Sequence, residues 1–479
     1  MTYKHGAYAS LVPSTEQILS YGKGTIPVYI GTAPVHRLKD YKDFINKPVL
    51  IRNLEEAKAK LGYSAADDFD NYSLSACIFG HLQNRIKPIA PIVVINVLDP
   101  SKHKKSGNKE FSIINDKILL DEDIILNSIN ISDKENGKDY KTEYTTDGKI
   151  LITILNKSIQ SSVTINFESI DLTNVNEETI VGGYEPNTDT RTGIACVQNI
   201  FEELNIIPSV LSAPGWNHIP TVEKELISTC NKIDGHWEAI SVTDLDPNAK
   251  SLDEARKWKI EKGYNSNREK TCWPKVKVGD KTLWMSIVTI VRMQQTDTNN
   301  NNVPYETPSN KQIDITGLVL GDGTRYVLNS FGANKLNEKG ITTSLYFGGK
   351  WVLWGPHMAN FEYGVTNKPE DIFDVNIRTN IYLNNDFQIR NADQVDKPMS
   401  RNDVDALLNN EQFKVNSLVS EGKLLYGTVE FRTSENPKND LINGDFVFNT
   451  MVTNTPPGKS LSTKIQYTSE GINTFIGGE

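Results

Sequence analysis

Ile92-Val93-Val94-Ile95-Asn96-Val97-Leu98 is an apolar run held between Pro91 and Pro100. It lacks the polar alternation of a half-exposed strand. It therefore reads as a strand covered on both faces, the setting of a central strand in an α/β sheet. Thr25-Ile26-Pro27-Val28-Tyr29-Ile30-Gly31 reads as a second buried strand ending at a glycine turn, and Pro48-Val49-Leu50-Ile51 as a shorter third. Residues 54–61 are helical, with Glu55, Glu56, Lys58 and Lys60 on the wet side, and residues 74–82 form another helix.

The same texture resumes at Thr192. A helix over 192–204 places Ile194, Val197, Phe201 and Leu204 on one face, and 209–213 is a strand. Residues 221–233 are an amphipathic helix with Thr221 as N-cap, 237–243 a strand, and 251–261 a helix opened by a capping box of Ser251 and Glu254. Two helix–strand alternations predict a parallel or mixed sheet with covering helices. Hairpin signals follow at Gly279-Asp280, Gly321-Asp322-Gly323 and Gly348-Gly349, with a polar Asn-rich loop over 297–302. Residues 371–388 and 400–418 are helical, the second capped by Ser400 with Asp403.

Between the two α/β portions the pattern changes. Residues 101–107 read as a basic, exposed connector, and 111–172 hold only short β-type runs. Asp147-Gly148 between residues 141–146 and 149–155 is a strong two-residue hairpin signal. The reading is a small all-β domain inserted into an α/β one.

The tail carries three extended runs, 422–432, 444–452 and 460–468. In the last, Leu461, Thr463, Ile465 and Tyr467 alternate strictly with Ser462, Lys464, Gln466 and Thr468. A strand this close to a terminus needs a sheet to satisfy its backbone, in its own molecule or in a neighbour. At the other end, Tyr3, His5, Ala7 and Ala9 alternate weakly with Lys4, Gly6 and Tyr8. Residues 1 to about 20, as an extended arm, reach roughly 60 Å at ~3.3 Å per residue. The expected fold class is α+β: a mixed α/β core with an inserted small all-β domain and a C-terminal α+β domain carrying exchanged terminal strands. The divisions are 1–20, an N-terminal arm; 21–99 with 184–365, a discontinuous core; 100–183, the insertion; 366–457, the C-terminal domain; and 458–479, a C-terminal arm.

Composition narrows the function. Hydrophobic residues are 38% and charged residues 23%, a globular balance. The net charge of −9 argues against broad binding to nucleic acid or anionic lipid. The first residues lack the apolar segment of a signal peptide, and no run approaches the ~20 apolar residues of a spanning helix, so a cytoplasmic site of synthesis is expected. Cys77, Cys196, Cys230 and Cys272 are widely separated and read as buried thiols. The seven histidines are scattered, without metal-ligand spacing. Gly458-Lys459-Ser460 lacks the upstream glycine of a phosphate loop and reads as a turn. Asp244 and Asp246 follow a strand, where α/β enzymes place acids, but Pro247 beside them favours a solvated turn. Lys102, Lys104 and Lys105 read as a solubilising turn, and the seven tryptophans as core. No catalytic, cofactor or metal site is expected.

Several stretches together resemble the tail sheath proteins of contractile phage tails and phage-tail-like bacteriocins. They are Pro27-Val28-Tyr29-Ile30-Gly31-Thr32-Ala33, Lys47-Pro48-Val49-Leu50-Ile51, Ser212-Ala213-Pro214-Gly215-Trp216, Trp273-Pro274-Lys275-Val276, Tyr305-Glu306-Thr307-Pro308-Ser309-Asn310-Lys311, Gly349-Lys350-Trp351-Val352-Leu353-Trp354-Gly355, Glu421-Gly422-Lys423-Leu424-Leu425-Tyr426-Gly427 and Leu441-Ile442-Asn443-Gly444. Their order spans about residues 20 to 470; residues 287–295 are bulkier than the small-residue helix the family often has there.

The resemblance implies a structural subunit without catalytic residues, in a virion or phage-tail-like particle assembled in a bacterial cytoplasm. Such subunits stack as hexameric rings around an inner tail tube and contract to drive it through a cell envelope. The implied partners are neighbouring copies, the tube protein, and baseplate and tail-terminator proteins, with no cofactor, nucleic acid or membrane. The arms complete a sheet shared between copies. The resemblance therefore implies donor strands at Tyr3, His5 and Ala7 and at Leu461, Thr463, Ile465 and Tyr467. It implies a receiving sheet at Val429, Phe431, Phe446 and Phe448. The tube-facing surface is left open, with a C-terminal-domain helix such as 400–418 as a candidate, and the insertion is expected on the outer surface or, alternatively, packed back onto the core as a lid. The alternatives are a carbohydrate- or receptor-binding module of a phage particle, using the insertion, and a cytoplasmic α/β enzyme.

Overall fold

The computed structural model describes residues 24–120, 123–159, 161–366 and 368–475. Tyr3, His5 and Ala7 lie outside them. The core is an eight-stranded sheet in the spatial order Pro48–Ile51, Ile92–Asn96, Pro27–Gly31, Val210–Ser212, Ile240–Asp244, Glu269–Cys272, Ile341–Phe347, Lys350–Trp354. The six central strands run parallel and the two flanking strands antiparallel. Val28 sits between Val93 and Leu211, and every residue of Pro27–Gly31 and Ile92–Asn96 is buried. One face packs on helices Ser73–Leu82 and Met285–Asn299, the other on helix Pro220–Asn231 and the turn Gly193–Asn199. Each fully buried Val, Ile or Leu contributes about 1.5–3 kcal/mol, so the continuous apolar runs hold this sheet together.

Local differences from the sequence reading have simple causes. Helix Pro220–Asn231 starts one residue early, because Pro220 takes the first helical position and Ile219, not Thr221, is the cap. The strand expected over 237–243 is Ile240–Asp244; Trp237 and Ala239 are buried before it begins. The helix expected over 192–204 divides into a 3-10 segment, Gly193–Asn199, and a short α-helix, Ile200–Leu204. Ser251 caps the Glu254 N–H, but the Glu254 carboxylate accepts from the Lys250 N–H, so the capping box is half formed. The expected connector at 101–107 gives way to strand Lys104–Ser112, whose Lys104 grips Glu168 at 2.7 and 2.8 Å. The four cysteines are free and buried. Trp237, Trp273 and Trp284 are buried, whereas Trp216, Trp258, Trp351 and Trp354 are half-buried.

Residues 104–170 form two three-stranded sheets with an apolar cluster of their own, including Ile118, Leu120, Ile150, Ile152, Ile165 and Phe167. The Asp147-Gly148 turn joins Tyr140–Tyr144 to Ile150–Ile154, with Gly148 at φ 84°. This unit meets the core where the Tyr144 hydroxyl donates to the His36 carbonyl at 3.2 Å. Beyond the core sheet come helices Asp374–Asn391 and Arg401–Ser420, then strands Leu424–Glu430 and Asn449–Asn454. Ser400 and Asp403 form the expected capping box.

Candidate assembly surface

Strands Leu424–Glu430 and Asn449–Asn454 make an isolated antiparallel pair. Each therefore has one edge without a ladder partner among the described residues. A two-stranded sheet is marginal by itself; this one is held by helix Arg401–Ser420, through Val415, Leu418 and Leu424. Leu425 and Tyr426 stay 57% and 58% exposed. A cleft of about 580 Å³ opens between strand Asn449–Asn454 and the two helices, lined by Leu383, Phe387, Lys414 and Thr450 among others. Its floor is fixed by Arg390, which holds both carboxylate oxygens of Glu411 at 2.8 Å, a bidentate pairing. Beside it Lys414 donates to the Tyr382 hydroxyl at 3.3 Å, and burial pushes that hydroxyl up to about 12, so it stays neutral.

Of the expected receiving residues, Val429 lies in a strand and packs on the helix cluster. Phe431, Phe446 and Phe448 fall just outside the strands. They gather instead into a half-buried aromatic group, with ring centroids 5.4 Å apart for Phe431–Phe448 and 6.5 Å for Phe431–Phe446. The strand begins at Asn449 because Asn436 takes the Val447 N–H and donates to its carbonyl, ending the ladder there.

The expected third strand does not form among the described residues. Residues 460–468 belong to no ladder, and Leu461, Ile465 and Tyr467 are 92%, 93% and 84% exposed; Thr463 is exposed too. The alternation of apolar and polar residues joins no sheet among the described residues. The root of this tail is anchored. Asn454 donates to the Asn376 carbonyl at 3.1 Å, and the Thr455 hydroxyl to the Gly422 carbonyl at 3.0 Å. Lys459 sits 6.0 Å above the Phe361 ring, which stacks on His357 at 3.6 Å. Burial pushes the His357 imidazole down to about 3, so it presents no competing charge. Gly458-Lys459-Ser460 is followed by no helix until Gly471–Phe475, against the geometry of a phosphate loop.

Asp244 corrects the solvated-turn reading. It is buried and accepts from the Ser286 N–H at 2.9 Å and from Asn217 Nδ2 at 3.1 Å, at the N-terminus of helix Met285–Asn299. It is a cap, supplied from 42 residues away. Among the described residues there is no cluster of potential metal ligands, and no helix is long and apolar enough to cross a membrane.

The fold is similar to that of chains in two solved assemblies. It matches a chain in the cryo-EM structure of the anti-feeding prophage baseplate with a TM-score of 0.57 and 12% identity, covering 98% of this chain and 100% of that one. It also matches a chain of the PVC sheath complex of an extracellular contractile injection system in its contracted state, with a TM-score of 0.54, 10% identity, and coverage of 98% and 99%. In sequence the chain is similar to the tail sheath protein of Burkholderia phage BcepMu, 24% identical over 422 residues, covering 81% of this chain and 83% of that protein. No family model matches the sequence.

Proposed function

We propose that this protein is the structural subunit of a contractile tail sheath, a polymer of identical copies around an inner tube. The observation that carries this is a likeness running through nearly the whole chain, in fold to contractile-system subunits and in sequence to a tail sheath protein. A likeness of that extent favours a sheath subunit over a receptor-binding module, which would need only the insertion, and over an α/β enzyme.

The finer reading is strand exchange. The open-edged sheet Leu424–Glu430 with Asn449–Asn454 receives an extended segment of a neighbour, and residues 461–467 supply one to the next copy. Added strands of this kind bind by main-chain hydrogen bonds, with side-chain pockets setting register. About five such bonds at ~0.5–1.5 kcal/mol each give a link that holds while bodies rotate. Contraction is then a cooperative passage between two packings of one lattice, driven by stored strain. Residues 100–183 are a separate domain on the outer surface in this reading. Stacked hexameric rings, the tube protein, and baseplate and terminator proteins complete the particle. Electron microscopy of the purified full chain tests the reading: hollow cylinders are expected. A chain ending at Pro457 is expected to stay monomeric and folded; normal cylinders from that truncation would overturn strand donation by the tail.

A further inference from the structure

Helix Asp374–Asn391 faces the core with a stripe of Asp374, Arg378, Ile381, Asn385 and Gln388, spaced four, three, four and three residues apart, as one helical face requires. Four of the five are polar, and each of those reaches a partner on another element. Asp374 takes Lys270 Nζ at 2.8 Å, both side chains fully buried, and the Thr307 hydroxyl at 3.0 Å. Lys270 also donates to the Gly355 and His357 carbonyls at 2.8 and 3.2 Å. One turn on, Arg378 pairs with Asp297 and reaches the Thr25 hydroxyl at 3.2 Å, while Thr25 itself donates to Asp297. Asn385 holds the Glu238 N–H and carbonyl at 3.1 and 2.8 Å, and Gln388 the His236 carbonyl at 3.0 Å.

Two of these contacts lie near the first described residues and near residues 457–460 of the tail. Thr25 is the second described residue of the chain, and Thr307 and His357 line one cleft together with Pro457–Ser460. The helix also grips the last residue of strand Asn449–Asn454 directly, through Asn376 and Asn380 to Asn454. Buried ion pairs are no more stabilising than well-packed apolar residues of similar volume. What they add is a single geometry, since each charge is tolerated only opposite its partner. An apolar helix face would slide; two opposite charges one turn apart do not.

We propose that Asp374 and Arg378 are positioning residues that make helix Asp374–Asn391 a rigid strut between the roots of the two arms. Tension on one arm is delivered to the other through this strut and is not absorbed by a hinge. The consequence for contraction rests on the sheath reading; the rigidity itself does not, and is measured on the unassembled protein.

Spin labels on Gly24→Cys and Gly458→Cys in the full chain report the distance distribution between the two roots. A narrow distribution is expected with the strut intact. The double variant Arg378→Met with Asp297→Leu is expected to keep its unfolding midpoint within a few degrees while the width at least doubles. An unchanged width at an unchanged midpoint overturns the proposal, because a purely structural pair would leave the distance alone. If the double variant unfolds, Arg378→Lys decides: it keeps the charge but loses the Nη2 group that reaches both Asp297 and Thr25, and a broadened distribution supports the strut whereas an unchanged one overturns it. Absence of cylinders in microscopy would count against the sheath reading and leave the strut standing.

Discussion

Gly427 lies so close to Val415 that a Cβ built on it would come within 2.1 Å of Val415 Cγ1. The strand Leu424–Glu430 thus rests directly on helix Arg401–Ser420, with no room for a side chain at that point. Gly427→Ala is expected to destabilise the chain by about 1–3 kcal/mol, the usual cost of overpacking. Val415→Ala in the same chain is expected to recover part of that loss by opening the space. Chemical denaturation of the single and double variants measures both; simple additivity of the two losses would show that the contact does not limit the packing.

Leu461 and Ile465 are 92% and 93% exposed, so replacing them removes almost no burial in the single chain. Leu461→Asp with Ile465→Asp is expected to leave the unfolding free energy within about 0.5 kcal/mol, as for other surface changes. The same pair is expected to abolish polymer formation, read by sedimentation. Cylinders from the doubly charged tail would show that residues 461–467 carry no inter-subunit contact.

The sheet was legible because its strands are nearly unbroken apolar runs, and Ile92–Asn96 has no other stable setting than between two covered faces. The hairpin at Asp147-Gly148 was legible for the same kind of reason, a turn chemistry with one good solution. The alternation of Leu461, Thr463, Ile465 and Tyr467 was equally clear, yet it forms no strand among the described residues, because a pattern specifies a face and not the sheet that covers it. What stayed hidden is polar and long-range. Asp297 sits in an Asn-rich stretch that reads as loop, but it is a buried helix residue paired with Arg378, 81 residues on. The stripe on Asp374–Asn391 escapes any search for apolar periodicity because it is built of Asp, Arg, Asn and Gln. Phe431, Phe446 and Phe448 read as strand residues but lie just outside the strands, since the Asn436 side chain that stops the ladder gives no signal of its own.

Glu269 is fully buried in the core sheet, with one oxygen accepting from the Thr243 hydroxyl and the other without a partner. Burial, then the neighbouring Glu223 carboxylate, pushes its pKa up; the Thr243 hydroxyl, Lys259 and the Ser266 backbone pull the other way. A raised carboxyl binds its proton in the folded chain at pH values where the unfolded chain has released it. Stability is therefore fullest below the ordinary value of 4.5 and declines as pH rises through the folded value. Glu269→Gln mimics the protonated form. It is expected to gain stability over the parent at pH 8 and to match it near pH 4, with unfolding curves at the two pH values as the measurement. A deficit at pH 8 would mean that the carboxylate is stabilised by Lys259 more than burial opposes it.

Asp244 offers the stricter test of how the core sheet and helix Met285–Asn299 are joined. Its carboxylate accepts the Ser286 N–H, one of the orphan donors at the start of that helix, and an anion there also meets the positive end of the helix dipole. Against this, burial pushes its pKa up to about 6, outweighing the Ser286 and Asn217 donors. The group is thus ionised at pH 7 at some cost, and its contribution to stability falls as pH rises from 3.8 through about 6. Asp244→Ala strands the Ser286 N–H and the Asn217 amide in the interior, an expected loss of about 1–3 kcal/mol. Asp244→Asn keeps an acceptor for Ser286, so it is expected to lose less than the alanine at pH 7 and to flatten the pH dependence of the parent between 4 and 7. Equal losses for the two variants would assign the effect to the missing charge; the expected ordering assigns it to the hydrogen bond that closes the helix onto the sheet.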